Sequence, residues 1–240
     1  MRNGACNLDD ICVAGITPFT TIDFPGRLAG VFYLQGCAWR CRYCYNSEFW
    51  PLPPYGTHIP VEKIRHYLTS RKGHLDGIVF SGGEPTVHLQ LSAWIKAVKD
   101  MGYEIGLHTG GIFPDRLSGV LPLCDWVGMD IKVPFSLYEK VTRIPASGDA
   151  ARQSASLVLA SNKPYEFRTT IHPDLLTEME ILEMARELAG MGCKNFTLQS
   201  FRGEHCHDKE LRESYAQTPI ISAGLRSTLQ SLFASFQIRE

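Results

Sequence analysis

Three cysteines, Cys37, Cys41 and Cys44, stand in a C-x3-C-x2-C run. Thiolates are soft ligands suited to iron–sulfur clusters or zinc, and this spacing lets one short loop wrap a single metal site. A closed structural zinc site or an electron-transfer cluster takes four protein ligands, whereas three leave one position open for a small molecule. The competing reading is a zinc site completed from a distance by Cys124, Cys193, Cys206 or His205. A second run, Ser81-Gly82-Gly83-Glu84-Pro85, joins two glycines, which let a ligand approach the backbone, to a carboxylate that can accept from an ammonium group. Taken alone, that run is also an ordinary strand-to-helix turn.

The elements that must position these groups follow from hydrophobic periodicity. Strand-like runs cover Ala29 to Leu34, Asp76 to Phe80, Tyr103 to Leu107, Trp126 to Ile131, Tyr165 to Ile171 and Asn195 to Gln199. Amphipathic helical patterns lie between them at Val61 to Lys72, Leu89 to Met101 and Glu178 to Met191, with further helices expected at Asp115 to Leu121, Phe135 to Val141 and Ala150 to Ser161. Strands alternating with helices imply an α/β chain with parallel pairing and right-handed crossovers. Six such units fall short of the eight in a closed TIM barrel, and no GxGxxG follows the first strand. Trp50 to Pro60 and Ser147 to Asp149 read as loops, Arg202 to Pro219 is polar without an assigned element, and Ala223 to Phe236 reads as a final helix. The organisation expected is one domain over 1–240, with a core of about 16–202 and a helical extension of about 203–240. Each strand ends in polar or glycine residues: Cys37 onward, Gly82 to Glu84, His108-Thr109-Gly110, Asp130 with Lys132, Arg168 with Thr170, and Gln199. Ligands of parallel α/β proteins collect at that end of the sheet.

Composition narrows the classes. The 24 basic and 25 acidic side chains give a net charge of −1, which leaves no electrostatic footprint for nucleic acid or an anionic membrane. No apolar run reaches the roughly 20 residues needed to span a bilayer. Residues Met1 to Cys12 lack the basic start and apolar stretch of a secretion signal, which points to the cytoplasm. In a reducing compartment the 8 cysteines indicate metal binding or catalysis and not a disulfide framework.

The cysteine loop, with Tyr43 before its third cysteine, followed after the next strand by Gly82-Gly83-Glu84, resembles the radical S-adenosylmethionine (SAM) superfamily. More narrowly, Thr20-Thr21-Ile22-Asp23-Phe24-Pro25-Gly26 ahead of Gln35-Gly36-Cys37, with Cys44-Tyr45-Asn46, resembles the activating proteins of anaerobic ribonucleoside-triphosphate reductases, although those often carry His where this chain has Tyr45. The likeness runs from about Ile16 to Arg202. It implies a partial (β/α)6 TIM-like barrel with a [4Fe-4S] cluster on Cys37, Cys41 and Cys44, the open iron being chelated by SAM. It further implies that Glu84 and the Gly82–Gly83 backbone meet the methionyl ammonium, and that Thr109, Asp130, Lys132 and Arg168 contact the ribose or the methionyl carboxylate, with Gln199 at the last strand end. Asp130 and Lys132 alternate along a strand and so would point the same way. A structural ion pair is the competing role for these two, a buried structural pairing for Arg168, and a hydrogen-bonded core position is expected for His108.

The implied reaction is one-electron reductive cleavage of the SAM C5′–S bond, followed by abstraction of the α-hydrogen of one glycine on a partner. That partner would be an anaerobic ribonucleotide reductase or a related glycyl radical enzyme, with reduced flavodoxin or ferredoxin as the electron donor. A small-molecule radical SAM enzyme, such as a 7-carboxy-7-deazaguanine synthase, and a non-enzymatic zinc-binding interaction domain are the rivals. Cys6 and Cys12 lie ahead of the pattern without an assigned role. Cys124 and Cys193 are expected as small hydrophobes, and His205-Cys206-His207-Asp208 as a solvated loop. Trp39, Arg40, Arg42 and Tyr43 would shield the cluster and balance its charge.

Overall fold

The computed structural model of the chain describes residues 8, 11–53, 55–56, 58–214 and 221–239. Eight strands form one sheet in sequence order: β1 (Val13–Thr20), β2 (Ala29–Leu34), β3 (Gly77–Gly82), β4 (Glu104–Thr109), β5 (Trp126–Asp130), β6 (Tyr165–Ile171), β7 (Asn195–Ser200) and β8 (Ser235–Arg239). β1 runs antiparallel to β2, and every later pairing is parallel. The crossovers carry helices α1 (Val61–Arg71), α2 (Leu91–Asp100), α3 (Pro114–Val120), α4 (Tyr138–Thr142), α5 (Ser147–Ala160), α6 (Glu178–Gly190), α7 (Lys209–Ser214) and α8 (Ala223–Leu232). The six strands anticipated from the sequence are β2 to β7, and the partial α/β barrel is the observed architecture.

Alternation along each strand divides the apolar residues between two faces. Phe32, Leu34, Ile78, Phe80, Ile105, Leu107, Val127 and Met129 belong to the large core beneath the helices. Ala29, Val31, Val79 and Trp126, on the opposite face, form a small inner cluster with Phe24. There the Phe24 and Trp126 rings stack with centroids 6.0 Å apart. Glycines on β3 and β5 make room for them: a Cβ at Gly77 would come within 2.9 Å of the Phe24 ring, and one at Gly128 within 2.6 Å of Trp126. Phe24 enters from the Phe24-Pro25-Gly26-Arg27 turn, closed by Arg27 N–H donating to Phe24 O at 3.0 Å, with Gly26 at φ +73°. The Asp-Phe-Pro-Gly signature is thus a turn that plugs the barrel floor. Above it, toward the C-terminal strand ends, the inward positions turn polar.

Several expectations are corrected. β1 was not anticipated, because Gly15 and Pro18 interrupt its pattern; an edge strand tolerates both. Ser147 to Asp149 is not a loop but the first turn of α5, where a Cβ on Gly148 would lie 1.8 Å from Phe135 O. The final helix ends at Leu232, not Phe236. Phe233 is already extended (φ −120°, ψ 144°), and residues 235–239 add a parallel strand to β7. Among the described residues, the extension beyond residue 203 is therefore mixed, not helical. Among the described residues no helix is long and apolar enough to cross a membrane.

Candidate functional site

A cavity of about 1020 Å³ opens at the C-terminal ends of the strands. Every site residue singled out above lines it: Cys37, Cys41 and Cys44; Gly82, Gly83 and Glu84; Thr109; Asp130 and Lys132; Arg168; and Gln199.

The cysteine loop leaves β2 through Gly36 (φ +104°), a left-handed conformation that suits glycine. Its backbone is tied down on two sides. Gly36 N–H donates to Phe49 O (2.7 Å) and Cys37 N–H to Trp50 O (3.2 Å), while Arg40 and Arg42 N–H donate to Thr142 O (3.0 Å) and Val141 O (3.1 Å) at the end of α4. The Arg40 guanidinium donates to the Cys37 and Trp39 carbonyls at 2.7 and 2.8 Å. Trp39 and Tyr43 are buried, walling the loop from solvent. Burial, reinforced by Cys41 and Glu84, pushes the Cys37 thiol up to about 12, and burial pushes Cys44 up to about 11. Cys41 is raised as well, by burial and against the pull of Lys132. Such thiols become ligands only where bound positive charge offsets their ionisation.

Beside this loop, Gly82 (φ +113°) and Gly83 bring β3 against it. A Cβ on Gly83 would stand 2.3 Å from Gly36 O. Glu84 is 1% exposed, and its carboxylate is a hub. It accepts from Thr86 N–H (3.0 Å), Thr86 Oγ1 (2.6 Å), Thr109 Oγ1 (2.8 Å) and Gly110 N–H (2.8 Å). The glutamate therefore joins the ends of β3 and β4. Burial raises its carboxyl while the threonine and backbone donors oppose the rise.

Across the cavity runs a second polar chain. Arg168 Nε and Nη2 lie 3.1 Å from Asp130 Oδ1, and Lys132 Nζ lies 3.9 Å from Asp130 Oδ2. As the alternation argument expects, Asp130 and Lys132 point to the same side: both line the cavity, and they approach each other as an ion pair. Burial works against the Asp130 carboxylate, but Arg168, Lys132 and His108 together hold it below the usual range. The Lys132 ammonium sits 5.3 Å from the centre of the Tyr43 ring and 5.9 Å from that of Trp39, tethering the strand-β5 side to the cysteine loop. His108 is hydrogen-bonded as expected, but it also lines the cavity: its Nε2 is 2.9 Å from Asp23 O. A carbonyl only accepts, so this shorter contact favours the proton on Nε2 over the 3.4 Å approach of Arg168 Nη1 to the same nitrogen. Burial first, and then Arg168, lowers its pKa to about 4, leaving it neutral at pH 7.

Sequence reasoning missed other lining residues. Thr21, Ile22, Asp23 and Pro25 form part of the rim, and Arg239 reaches it from β8 while paired with Glu166. Arg239 was hidden because its strand begins inside the helix expected to run to Phe236, and residues 237–239 carried no assigned element. The His205-Cys206-His207-Asp208 segment is not a solvated loop: Cys206 is 1% exposed and Asp208 pairs with Arg42 at 2.8 Å. Cys124 and Cys193 are buried hydrophobes away from the cavity, as expected. Cys12 is half-buried, and Cys6 lies outside the described residues.

Residues 31–164, more than half of the chain, match the family model of the Radical SAM superfamily. The chain belongs to the radical SAM superfamily. A Methanocaldococcus jannaschii protein, named as a proposed glycyl-radical enzyme activating enzyme, is 28% identical over 84% of each chain. The pyruvate formate-lyase-activating enzyme of Clostridium pasteurianum is 32% identical over 46% of this chain and 48% of its own. In fold, Streptococcus suis SuiB bound to its precursor peptide SuiA superposes with a TM-score of 0.63 at 12% identity, covering 88% of this chain and 48% of SuiB. This chain thus spans about half the length of the Clostridium and Streptococcus proteins.

Radical SAM proteins use a [4Fe-4S] cluster and SAM, and the donor set fits that pair. Among the described residues no three His, Cys, Asp or Glu side chains gather closely enough for one metal ion. The three thiols all line one cavity. Gly82 and Gly83 let the β3 turn pack directly on the backbone of β2 and the cysteine loop, which sets Glu84 beside the thiols.

Proposed function

We propose that this radical SAM chain is an activating enzyme that installs a glycyl radical on an anaerobic ribonucleoside-triphosphate reductase in the cytoplasm. The observation carrying this reading is the cavity, where three thiols and no fourth cysteine meet the Gly82-Gly83-Glu84 turn among the described residues. Cys37, Cys41 and Cys44 would hold the [4Fe-4S] cluster and leave one iron for SAM. The Gly82–Gly83 backbone and Glu84 would receive the methionyl ammonium, while Thr109, Asp130, Lys132, Arg168 and Gln199 would orient the remainder of the cofactor. When bound, the cluster and SAM supply a carbon-centred radical at the cost of one electron, drawn from reduced flavodoxin or ferredoxin. Trp39 and Tyr43 exclude water from one wall. The likeness to the Methanocaldococcus protein across most of both chains supports an activase over a small-molecule enzyme.

The test is anaerobic incubation of the loaded protein with SAM, reduced flavodoxin and the purified reductase. A glycyl radical signal in electron paramagnetic resonance, absent without SAM, is expected. Formation of 5′-deoxyadenosine with no protein radical would point to a different substrate.

A further inference from the structure

The segment that follows β7 is anchored on β6, where Phe201 N–H donates to Ile171 O at 3.2 Å, and makes a series of contacts to the cysteine loop. Arg202 N–H donates to Tyr45 Oη at 2.6 Å, and Phe201 packs on the Tyr45 ring with centroids 5.8 Å apart. The buried Cys206 thiol donates to Arg42 O at 3.3 Å. The edge of His207 meets Trp50, centroids 4.5 Å apart. Asp208 accepts from Arg42 Nε at 2.8 Å and is itself fixed by Leu211 N–H at 3.3 Å. Arg42 stands between Cys41 and Cys44, its own N–H is held by Val141 O at the end of α4, and Arg143, just after α4, lies 4.0 Å from Asp208. The loop is therefore tied to both α4 and residues 201–208.

We infer that residues 201–208 are a clamp that fixes the cysteine loop before any cofactor arrives, with Asp208 as a positioning residue acting through Arg42. This rests on Cys37, Cys41 and Cys44 being the ligand set. The pair is built for this work: the Asp208 side chain is 9% exposed and that of Arg42 23%, so the carboxylate has little water to turn to. Glu210, the second acid on Arg42 at 3.2 Å, is 88% exposed and holds little. Ordering a three-ligand loop in advance lowers the entropy lost when the cluster binds.

The experiment is hydrogen–deuterium exchange of the full chain without iron, followed over the hydrogen-bonded amides of Arg40, Arg42 and Cys44. Asp208→Asn is expected to accelerate exchange there by roughly tenfold, the loss of one charge-assisted hydrogen bond. Exchange in α1 should stay at its original rate, Asp208→Glu should restore most of the protection, and Glu210→Gln should leave it intact. In an Arg42→Ala background, Asp208→Asn should add much less than it does in the original chain, since only the 4.0 Å approach of Arg143 is left to lose. Unchanged exchange across the loop overturns the clamp, as does equal acceleration in α1, which would make Asp208 a general stabiliser. Because iron is absent, this outcome is independent of whether the thiols hold a cluster; iron content of the reconstituted original protein tests that separately.

Discussion

Substituting Gly83 by alanine tests how tightly the turn after β3 is fitted to the cysteine loop. The new Cβ would lie 2.3 Å from Gly36 O, 2.7 Å from Gly36 C and 2.9 Å from Phe49 O. Ordinary contact begins at 3.4 Å, so about 1 Å of movement is required, and all three atoms are backbone with no rotamer to change. The displaced carbonyls are already engaged: Gly36 O accepts from Glu84 N–H at 2.8 Å, and Phe49 O from Gly36 N–H at 2.7 Å. Overpacking of about 1–3 kcal/mol plus about 1 kcal/mol for each weakened hydrogen bond gives about 3–5 kcal/mol. Against a total stability of about 5–15 kcal/mol the variant should still fold. With a urea slope of about 3 kcal/mol per molar, the unfolding midpoint should fall by about 1 M or more. Gly119→Ala is the control, since nothing lies within 4 Å of that Cβ in α3, and it should be neutral or slightly stabilising. A Gly83→Ala midpoint within about 0.3 M of the original would refute the packing described.

Two further perturbations probe the polar groups of the cavity. Glu84→Gln replaces one acceptor oxygen of a four-donor hub with a donor, and should cost about 2–4 kcal/mol in urea unfolding; a midpoint equal to that of the parent would count against the hub. His108 is held neutral with its pKa lowered to about 4, against about 6.5 in the unfolded chain, so the unfolded state binds the extra proton between those values. Its contribution is present above pH 6.5 and is lost as pH falls toward 4, by up to roughly 3 kcal/mol. Stability of His108→Gln should accordingly fall less steeply across that window, and parallel curves would contradict the assignment.

The cysteine loop, the Gly-Gly-Glu turn and six parallel strands were legible because each has a local signature. Strands buried on both faces read as short apolar runs, and ligand-facing groups collect where those runs stop. β1 and β8 were not legible. The first is an edge strand carrying Gly15 and Pro18, and the second follows α8 so closely that Phe233 and Phe236 extend its apolar pattern. The role of residues 201–208 was invisible for a different reason. Arg42 and Asp208 are 166 positions apart, and no periodicity relates them until the barrel brings β7 beside the loop. His108 could be assigned a hydrogen bond but not a place in the cavity, because its partner Asp23 arrives from a turn 85 positions earlier.

The central claim is that Cys37, Cys41 and Cys44 hold a cluster that cleaves SAM in this cavity. Its most direct test is 5′-deoxyadenosine production by the anaerobically reconstituted protein with SAM and dithionite, beside a Cys41→Ala variant treated identically. Formation of 5′-deoxyadenosine by the original chain and none by Cys41→Ala is predicted. An iron-loaded original chain that releases none, or equal release by both proteins, would contradict the account.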